Sequence, residues 1–273
     1  ALADEQTVAT GGGRVSLIGA GPGEPELITL RALHRLQSAD VIVHDGLVDP
    51  RILEYARRDA TLFEVSKRPG RCRVSQTDIH TILLEQAGAG RRVVRLKGGD
   101  PMIFGRGGEE LAWLRDRGID YEVIPGVTAA SACAAYAGLP LTQRGMAQSV
   151  RLITAHCERS IDRLDWRALA ADHQTLSFYM AVAQLGVIER RLIAHGRSPA
   201  TPVALVENGT RSNQRVAVGE LEQLQALADQ HQFKAPAMLF VGEVAALAES
   251  LGWYGNDVLR WQAAPARSAR ACA

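Results

Sequence analysis

One segment limits the fold more than any other: residues 92–110, RVVRLKGGDPMIFGRGGEE. It opens as a buried strand, with Val93, Val94 and Leu96, and breaks at Gly98-Gly99. An acid, Asp100, and a turn at Pro101 follow. Two apolar residues, Ile103 and Phe104, precede a second glycine group at Gly105, Gly107 and Gly108. A helix then starts at Glu109. Two glycine groups around an acid and a base, Arg106, exceed what a strand-to-helix turn requires. The segment predicts a backbone-lined ligand loop at the carboxyl end of a strand, where open parallel sheets bind their ligands.

The flanking sequence supplies elements to match. Residues 1–13 read as a leader without fixed structure. A strand is expected over 14–19, a helix over about 26–37, a strand over 40–44, a short helix near 50–57 and a weaker strand over 61–65. A helix over about 75–87 has Ser75 as N-cap and Asp78 placed to complete a capping box. After the glycine loop come a helix over about 108–117, a strand over 121–124 and a helix of small residues from Thr128. Alternating strands and helices predict an α/β fold with a mostly parallel sheet. Residues 138–149, GLPLTQRGMAQS, form the best boundary. Beyond it, strands are expected over 150–154, 175–180, 202–206, 215–218 and 237–241. Helices are expected over 166–170, 184–195, 220–228 and 243–251. The plan is an N-terminal domain over 14–137, a linker over 138–149, a C-terminal domain over 150–255 and a polar tail over 256–273.

Composition narrows the function classes. The 273 residues are 47% hydrophobic and 22% charged, ordinary for a soluble protein with room for two modest domains. A net charge of +1 and 5% aromatic residues argue against a nucleic-acid binder. Cys72, Cys133, Cys157 and Cys272 form no CxxC pair, and Cys157 beside His156 has no second pair, so no metal site is expected. They read as free thiols of a reducing compartment. The start ALADEQTVATGGG lacks the pattern of a signal peptide, and no apolar run approaches the ~20 residues of a membrane span. A cytoplasmic protein is expected.

Four groups of residues could carry chemistry. Gly19-Ala20-Gly21-Pro22-Gly23-Glu24 follows a strand, as a dinucleotide fingerprint does, but Glu24 stands where the third glycine belongs. Glu24 and Glu26 would also oppose a pyrophosphate, whereas a sulfonium cation suits an acidic loop better. Asp45 and Lys67 sit at predicted strand ends and could move protons; a surface ion pair or loop cap is the plainer reading. Lys67, Arg68, Arg71, Arg106 and Arg144 lie on loops and could bind a polycarboxylate, arginine forks being suited to carboxylates. Phe178-Tyr179-Met180 and Glu207-Asn208-Gly209-Thr210 end two strands and could wall a pocket, although a methionine there is more often core.

Seven segments together resemble the tetrapyrrole methylases: GAGPG at 19–23, VIVHDGL at 41–47, the 92–110 segment, VIPGVTAA at 123–130, GLPLTQR at 138–144, SFYM at 177–180 and PVALVENGT at 202–210. The likeness covers about 14–254 and is greatest to the branch that acts on uroporphyrinogen III. It implies two α/β domains with S-adenosylmethionine in the cleft between them, a homodimer and no metal. It implies methyl transfer to C2 and C7, giving precorrin-2 and two S-adenosylhomocysteine, for sirohaem, cobalamin or haem d1. Carried over by position, the donor contacts are Pro22, Gly98, Gly99, Asp100, Ile103, Thr128, Ala129, Met180 and Gly209. Asp45 matches a proton acceptor and Lys67 a proton donor, while Arg106, Glu109 and Arg144 match residues facing the tetrapyrrole. Gln143 and Met102 depart from the usual wording. With no dehydrogenase–chelatase segment ahead of the first strand, the resemblance implies the stand-alone enzyme. Three alternatives remain beside it: a sibling methylase with another acceptor, a nicotinamide-dependent oxidoreductase and a non-catalytic binding module.

Overall fold

Short runs of β-branched and apolar residues build the first sheet, and polar caps start the helices between them. The computed structural model describes residues 13–65, 75–156, 161–255 and 257–262. The chain divides into two units, Ala1–Ala132 and Cys133–Ala273. In the first, β1 (Arg14–Gly19), α1 (Leu30–Ser38), β2 (Val41–His44), α2 (Pro50–Leu53) and β3 (Thr61–Glu64) are followed by α3 (Gln76–Gly88), β4 (Arg92–Lys97), α4 (Gly107–Arg115) and β5 (Asp120–Ile124). The small-residue helix α5 (Ala129–Tyr136) spans the division. The sheet order is β3-β2-β4-β1-β5, and every pairing is parallel.

Helices cover both faces of this sheet. Ile18, Ile42, Val94 and Leu96 pack with Ala32 and Leu36 of α1 and Ile52 of α2. On the other face Val15, Val41, Val43 and Val93 pack with Ile79 and Leu83 of α3 and Leu114 of α4. The capping box of α3 is complete: Asp78 N–H donates to Ser75 Oγ at 3.1 Å, and Ser75 N–H donates to Asp78 Oδ2 at 2.7 Å. The first helix differs from the sequence expectation. A 3-10 turn, Pro25–Leu27, comes first, and α1 starts only at Leu30, where Thr29 Oγ1 accepts from Ala32 N–H at 3.2 Å.

The second unit contains β6 (Ser149–Thr154), α6 (Trp166–Leu169), β7 (Gln174–Tyr179), α7 (Leu185–Ala194), β8 (Pro202–Glu207), β9 (Arg215–Glu220), α8 (Leu224–Gln230), β10 (Ala237–Val241), α9 (Ala248–Leu251) and β11 (Leu259–Arg260). Its sheet order is β11-β9-β8-β10-β7-β6. This sheet is mixed, unlike the parallel first sheet. Only the β6–β7 and β9–β11 pairs are parallel; β7–β10, β10–β8 and β8–β9 are antiparallel. One core holds Leu176, Phe178, Leu205, Leu239 and Val241 of the sheet against Leu185, Ile188 and Leu192 of α7 and Leu227 of α8. Residues 259–260, expected in a tail, add an edge strand. Arg260 pairs with Glu249 at 3.1 Å and Leu259 packs on the core.

A buried carboxylate ties α1 to the open edge of the first sheet. Glu122 of β5 accepts from Arg35 Nε at 2.6 Å, Ser16 Oγ at 2.7 Å and Arg31 Nη2 at 2.9 Å. Burial alone would raise its pKa, but these donors win and hold it at about 2 against an ordinary 4.5. The group is therefore depressed in the folded state. Its contribution is present above the ordinary value and is lost as pH falls toward the folded one. Glu122→Gln is expected to lower the thermal midpoint at neutral pH, and the gap from wild type should close by about pH 2. Melting curves across the acid range check this; a gap that stays constant with pH would refute it.

Candidate functional site

Neighbouring strands send their connections in opposite directions at β3/β2, β2/β4 and β4/β1, and the glycine loops leave the switch point at β4/β1. The connection from β1 leads to β2 on one side, that from β4 leads to β5 on the other, and β4 and β1 are neighbours. The crevice at the carboxyl ends of such a pair is where doubly wound sheets seat ligands. The two loops that leave it meet directly: Gly99 N–H donates to Gly21 C=O at 2.6 Å, and Gly21 N–H to Gly99 C=O at 3.1 Å. The loop after β5 packs against the same pair. A Cβ on Gly126 would lie 2.3 Å from the Gly99 oxygen, so no side chain is admissible there. Asp100 ties the same loops with its carboxylate. Oδ1 accepts from Met102 N–H at 2.8 Å and Oδ2 from Gly126 N–H at 3.1 Å.

Sequence-expected residues Pro22, Gly98, Gly99, Asp100, Ile103 and Thr128 thus fall on three adjacent strand-end loops of one unit, and Ala129 opens α5 directly after the third. The Gly19–Glu24 loop does not run into a helix N-terminus. Glu24 instead caps the 3-10 turn, 3.9 Å from Arg51 Nη1. The seat that a dinucleotide pyrophosphate needs is missing at this loop.

The second half of the 92–110 loop folds back on the first. Gly107 N–H donates to Pro101 C=O at 3.0 Å. Phe104 and Arg106 are held in the left-handed region, at φ 52° and 59°, a conformation uncommon for side chains of this size. Arg106 and Glu109 form a two-point ion pair, with Nε to Oε1 at 3.0 Å and Nη2 to Oε2 at 2.5 Å, both side chains more than half exposed. The pairing raises the pKa of the guanidinium and lowers that of the carboxyl. Glu109 therefore holds Arg106. A guanidinium has five N–H donors, so three stay available to another acceptor.

Asp45 leaves the end of β2 beside β4, its N–H donating to Leu96 C=O at 3.2 Å. Its carboxylate has two partners that the sequence reading did not single out: Arg95 Nη2 at 2.6 Å and Lys97 Nζ at 3.8 Å. Both cations are buried, at 1% and 4% exposure, and both reach Glu110 of α4, itself 1% exposed. Lys97 Nζ donates to Glu110 Oε1 at 3.0 Å. Arg95 Nε lies 3.3 Å from Glu110 Oε2, close enough for an ion pair but not aligned as a hydrogen bond. Gln76 Nε2 adds a donor to Glu110 at 3.0 Å and faces His80 Nε2 at 3.2 Å. Burial opposes ionisation of Glu110, yet Arg95 and Lys97 bring its pKa below the ordinary value. Charged residues at positions 95 and 97, inside the buried part of β4, were the available signal.

Other expected residues lie elsewhere. Lys67, with Arg68, Arg71 and Cys72, lies outside the described residues. Arg144 occupies an exposed tight turn in which Gln143 N–H donates to Ala147 C=O at 3.1 Å. Met180, at φ 56° and 46% exposed, follows β7. Gly209 follows β8 between Asn208 and Thr210, both left-handed, and a Cβ on it would strike Cys133 Sγ at 2.2 Å. These three belong to the second unit. Cys133 is free and buried, and burial pushes its thiol up to about 12. Among the described residues no helix is long and apolar enough to cross a membrane.

The family model for Tetrapyrrole (Corrin/Porphyrin) Methylases matches residues 14–225. The chain belongs to this family. Among similar proteins, the siroheme synthase of Xylella fastidiosa (strain M12) is 55% identical over 96% of this chain and 55% of its own length. That of Pseudomonas aeruginosa (strain UCBPP-PA14) is 52% identical over 89% and 52%. This tetrapyrrole methylase chain thus spans about half the length of those relatives. A solved uroporphyrin-III C-methyltransferase of Thermus thermophilus, complexed with S-adenosyl homocysteine, is 38% identical over 85% of this chain and 92% of its own, at a TM-score of 0.72. A cobalt precorrin-4 methyltransferase is 27% identical over 85% and 95%, at 0.77.

The two glycines that start α4 separate packing from propensity. A Cβ on Gly107 would lie 2.4 Å from Pro101 O, whereas one on Gly108 meets nothing within 4 Å. Gly107→Ala is expected to cost about 1–3 kcal/mol through overpacking. Gly108→Ala should gain up to about 1 kcal/mol of helix propensity. Urea unfolding of both variants measures the difference; equal effects would mean that the loop does not need this close approach.

Proposed function

We propose that this chain transfers methyl groups from S-adenosylmethionine to C2 and C7 of uroporphyrinogen III, giving precorrin-2 and two S-adenosylhomocysteine. The observation that carries the reading is the β4–α4 loop. Its first half closes the switch point with backbone groups and Asp100, and its second half presents Arg106 held by Glu109. The methyl donor fits the chemistry of the crevice. Carbonyl and carboxylate acceptors and two glycine bends suit a sulfonium-bearing amino acid, and the first loop has no phosphate seat. We assign its holding to Pro22, Gly98, Gly99, Asp100, Ile103, Thr128 and Ala129; the resemblance adds Met180 and Gly209. When bound, S-adenosylmethionine supplies a methyl group already activated by its positive sulfur.

The protein's task is then alignment and charge. The three free donors of Arg106, with Arg144, take the carboxylates of the acceptor's rim, and Glu109 keeps Arg106 aimed. The methylated ring is cationic and must lose a proton. Asp45 is assigned as acceptor and Lys67 as donor. A pyrrole carbon pushed by its ring nitrogen is a strong nucleophile, so the acid–base pair adds little to the rate. We further read the enzyme as a cytoplasmic homodimer, which light scattering on the purified protein checks. The likeness to a cobalt precorrin-4 methyltransferase supports a second reading, in which a later corrinoid is the acceptor.

Anaerobic incubation with S-adenosylmethionine and uroporphyrinogen III should produce the absorbance of precorrin-2 or its oxidised form. No methylated product would sink the reading and favour a sibling acceptor. Arg106→Ala is expected to raise KM for the tetrapyrrole about 10- to 100-fold, the worth of one charge-assisted hydrogen bond. Asp45→Asn should slow kcat less than about tenfold, below the hundredfold or more of ordinary general-base catalysis. Steady-state kinetics on both variants ranks the two roles, and near-complete inactivation by Asp45→Asn would reverse the ranking.

A further inference from the structure

The four charges at the carboxyl ends of β2 and β4 are arranged for more than stability. Burying an ion pair is a poor way to stabilise a fold, since well-packed apolar residues serve as well or better. Yet this chain buries Arg95, Lys97 and Glu110 almost completely beneath one side chain, Asp45, that is 30% exposed. The charges cancel, so the cluster creates no strong field. It creates geometry instead.

Each member is held from more than one side. Glu110 takes Lys97 at 3.0 Å and Gln76 at 3.0 Å through Oε1 and faces Arg95 through Oε2. Arg95 Nη1 approaches the carbonyls of Leu96 at 3.3 Å and Val43 at 3.4 Å, which fixes the plane of the guanidinium. Only then does Nη2 meet Asp45 Oδ1 at 2.6 Å, the shortest contact of the cluster. The order of support runs from α4 to β4 to the mouth. Asp45 is its last and most accessible member.

We propose that Arg95 is a positioning residue for methyl transfer, orienting the Asp45 carboxylate toward the tetrapyrrole, with Glu110 as the buried brace that aligns Arg95. This rests on the reading of Asp45 as proton acceptor. Neither Arg95 nor Glu110 touches substrate in this scheme; both act through Asp45. Glu110 also follows Glu109 on α4, so the brace fixes the turn from which the Arg106–Glu109 pair projects.

The test is a double-substitution cycle on the full chain. Arg95→Lys keeps the charge and loses the fork, and Glu110→Gln keeps the shape and loses the charge. Each is expected to lower kcat about three- to tenfold with KM for both substrates within about twofold, and neither should lower it further once Asp45 is already Asn, because coupled residues are not additive. Crystal structures of the two variants without ligands should show the Asp45 carboxylate moved from its place. If Glu110→Gln folds and Arg95→Lys does not, the same cycle is read from Glu110→Gln alone. Losses that multiply on the Asp45→Asn background would overturn the proposal, since a merely structural cluster gives that result. So would wild-type kcat in a variant whose Asp45 has moved. If the wild-type chain makes no methylated product at all, the functional reading falls separately, and an Asp45 that stays in place in both crystal structures then disproves the clamp on its own.

Discussion

Where β1, β4 and β5 end, two stretches of backbone hydrogen-bond to each other and a third packs against them through glycine. Gly99 is paired with Gly21 on one side and pressed by Gly126 on the other, and the Asp100 carboxylate ties this arrangement to the loop after β5. Everything else in the first unit is placed by reference to this contact. The parallel sheet brings the three strand ends to one edge, and helices on both faces keep them in register. The loop that leaves β4 must stay tight before it can turn outward at Arg106. Gly19 and Gly126 leave no room for a Cβ at this contact, while Gly21 and Gly99 adopt the left-handed backbone that favours glycine.

Beyond the glycine contact, two kinds of charged group share the β4–α4 segment. Arg106 and Glu109 face solvent and pair with each other. Glu110, one residue on, faces inward and joins Arg95 and Lys97. The start of the helix therefore separates an exposed ion pair from a buried one by a single step along its sequence. Removing one partner of the buried set leaves an uncompensated buried charge, at a cost of about 3–5 kcal/mol. The exposed pair is worth at most about 1 kcal/mol.

Much of the first unit was legible in the sequence. The apolar runs of β1, β2 and β4 and the Ser75–Asp78 capping box act locally, and local rules predict them. The glycine groups at 98–99 and 105–108 announced a loop of unusual backbone, and it lies at the switch point. The start of α1 was misjudged because Pro25 and Glu26 are good first-turn residues. Here they build a 3-10 turn, and Thr29 provides the true cap. The buried charges were missed for a different reason. Arg95 meets partners 50 and 15 residues away, and no local pattern encodes those distances. The strand directions of the second sheet were not legible for the same reason, since hairpin-like pairings among β7, β8, β9 and β10 depend on which strands become neighbours. A two-residue strand such as β11 is too short for any periodicity to register.

The Arg106–Glu109 pair has a consequence for selectivity. The guanidinium at the mouth carries its own counterion, so it offers little attraction to a small anion passing in solvent. An incoming carboxylate must do better than a partner tethered three residues away. A single acid gains little from that competition. A molecule bearing many carboxylates can add a second anchor at each attempt, and avidity then outbids the tether. The tethered glutamate thus sets what any competing acid at Arg106 must exceed, in a chain whose net charge is only +1.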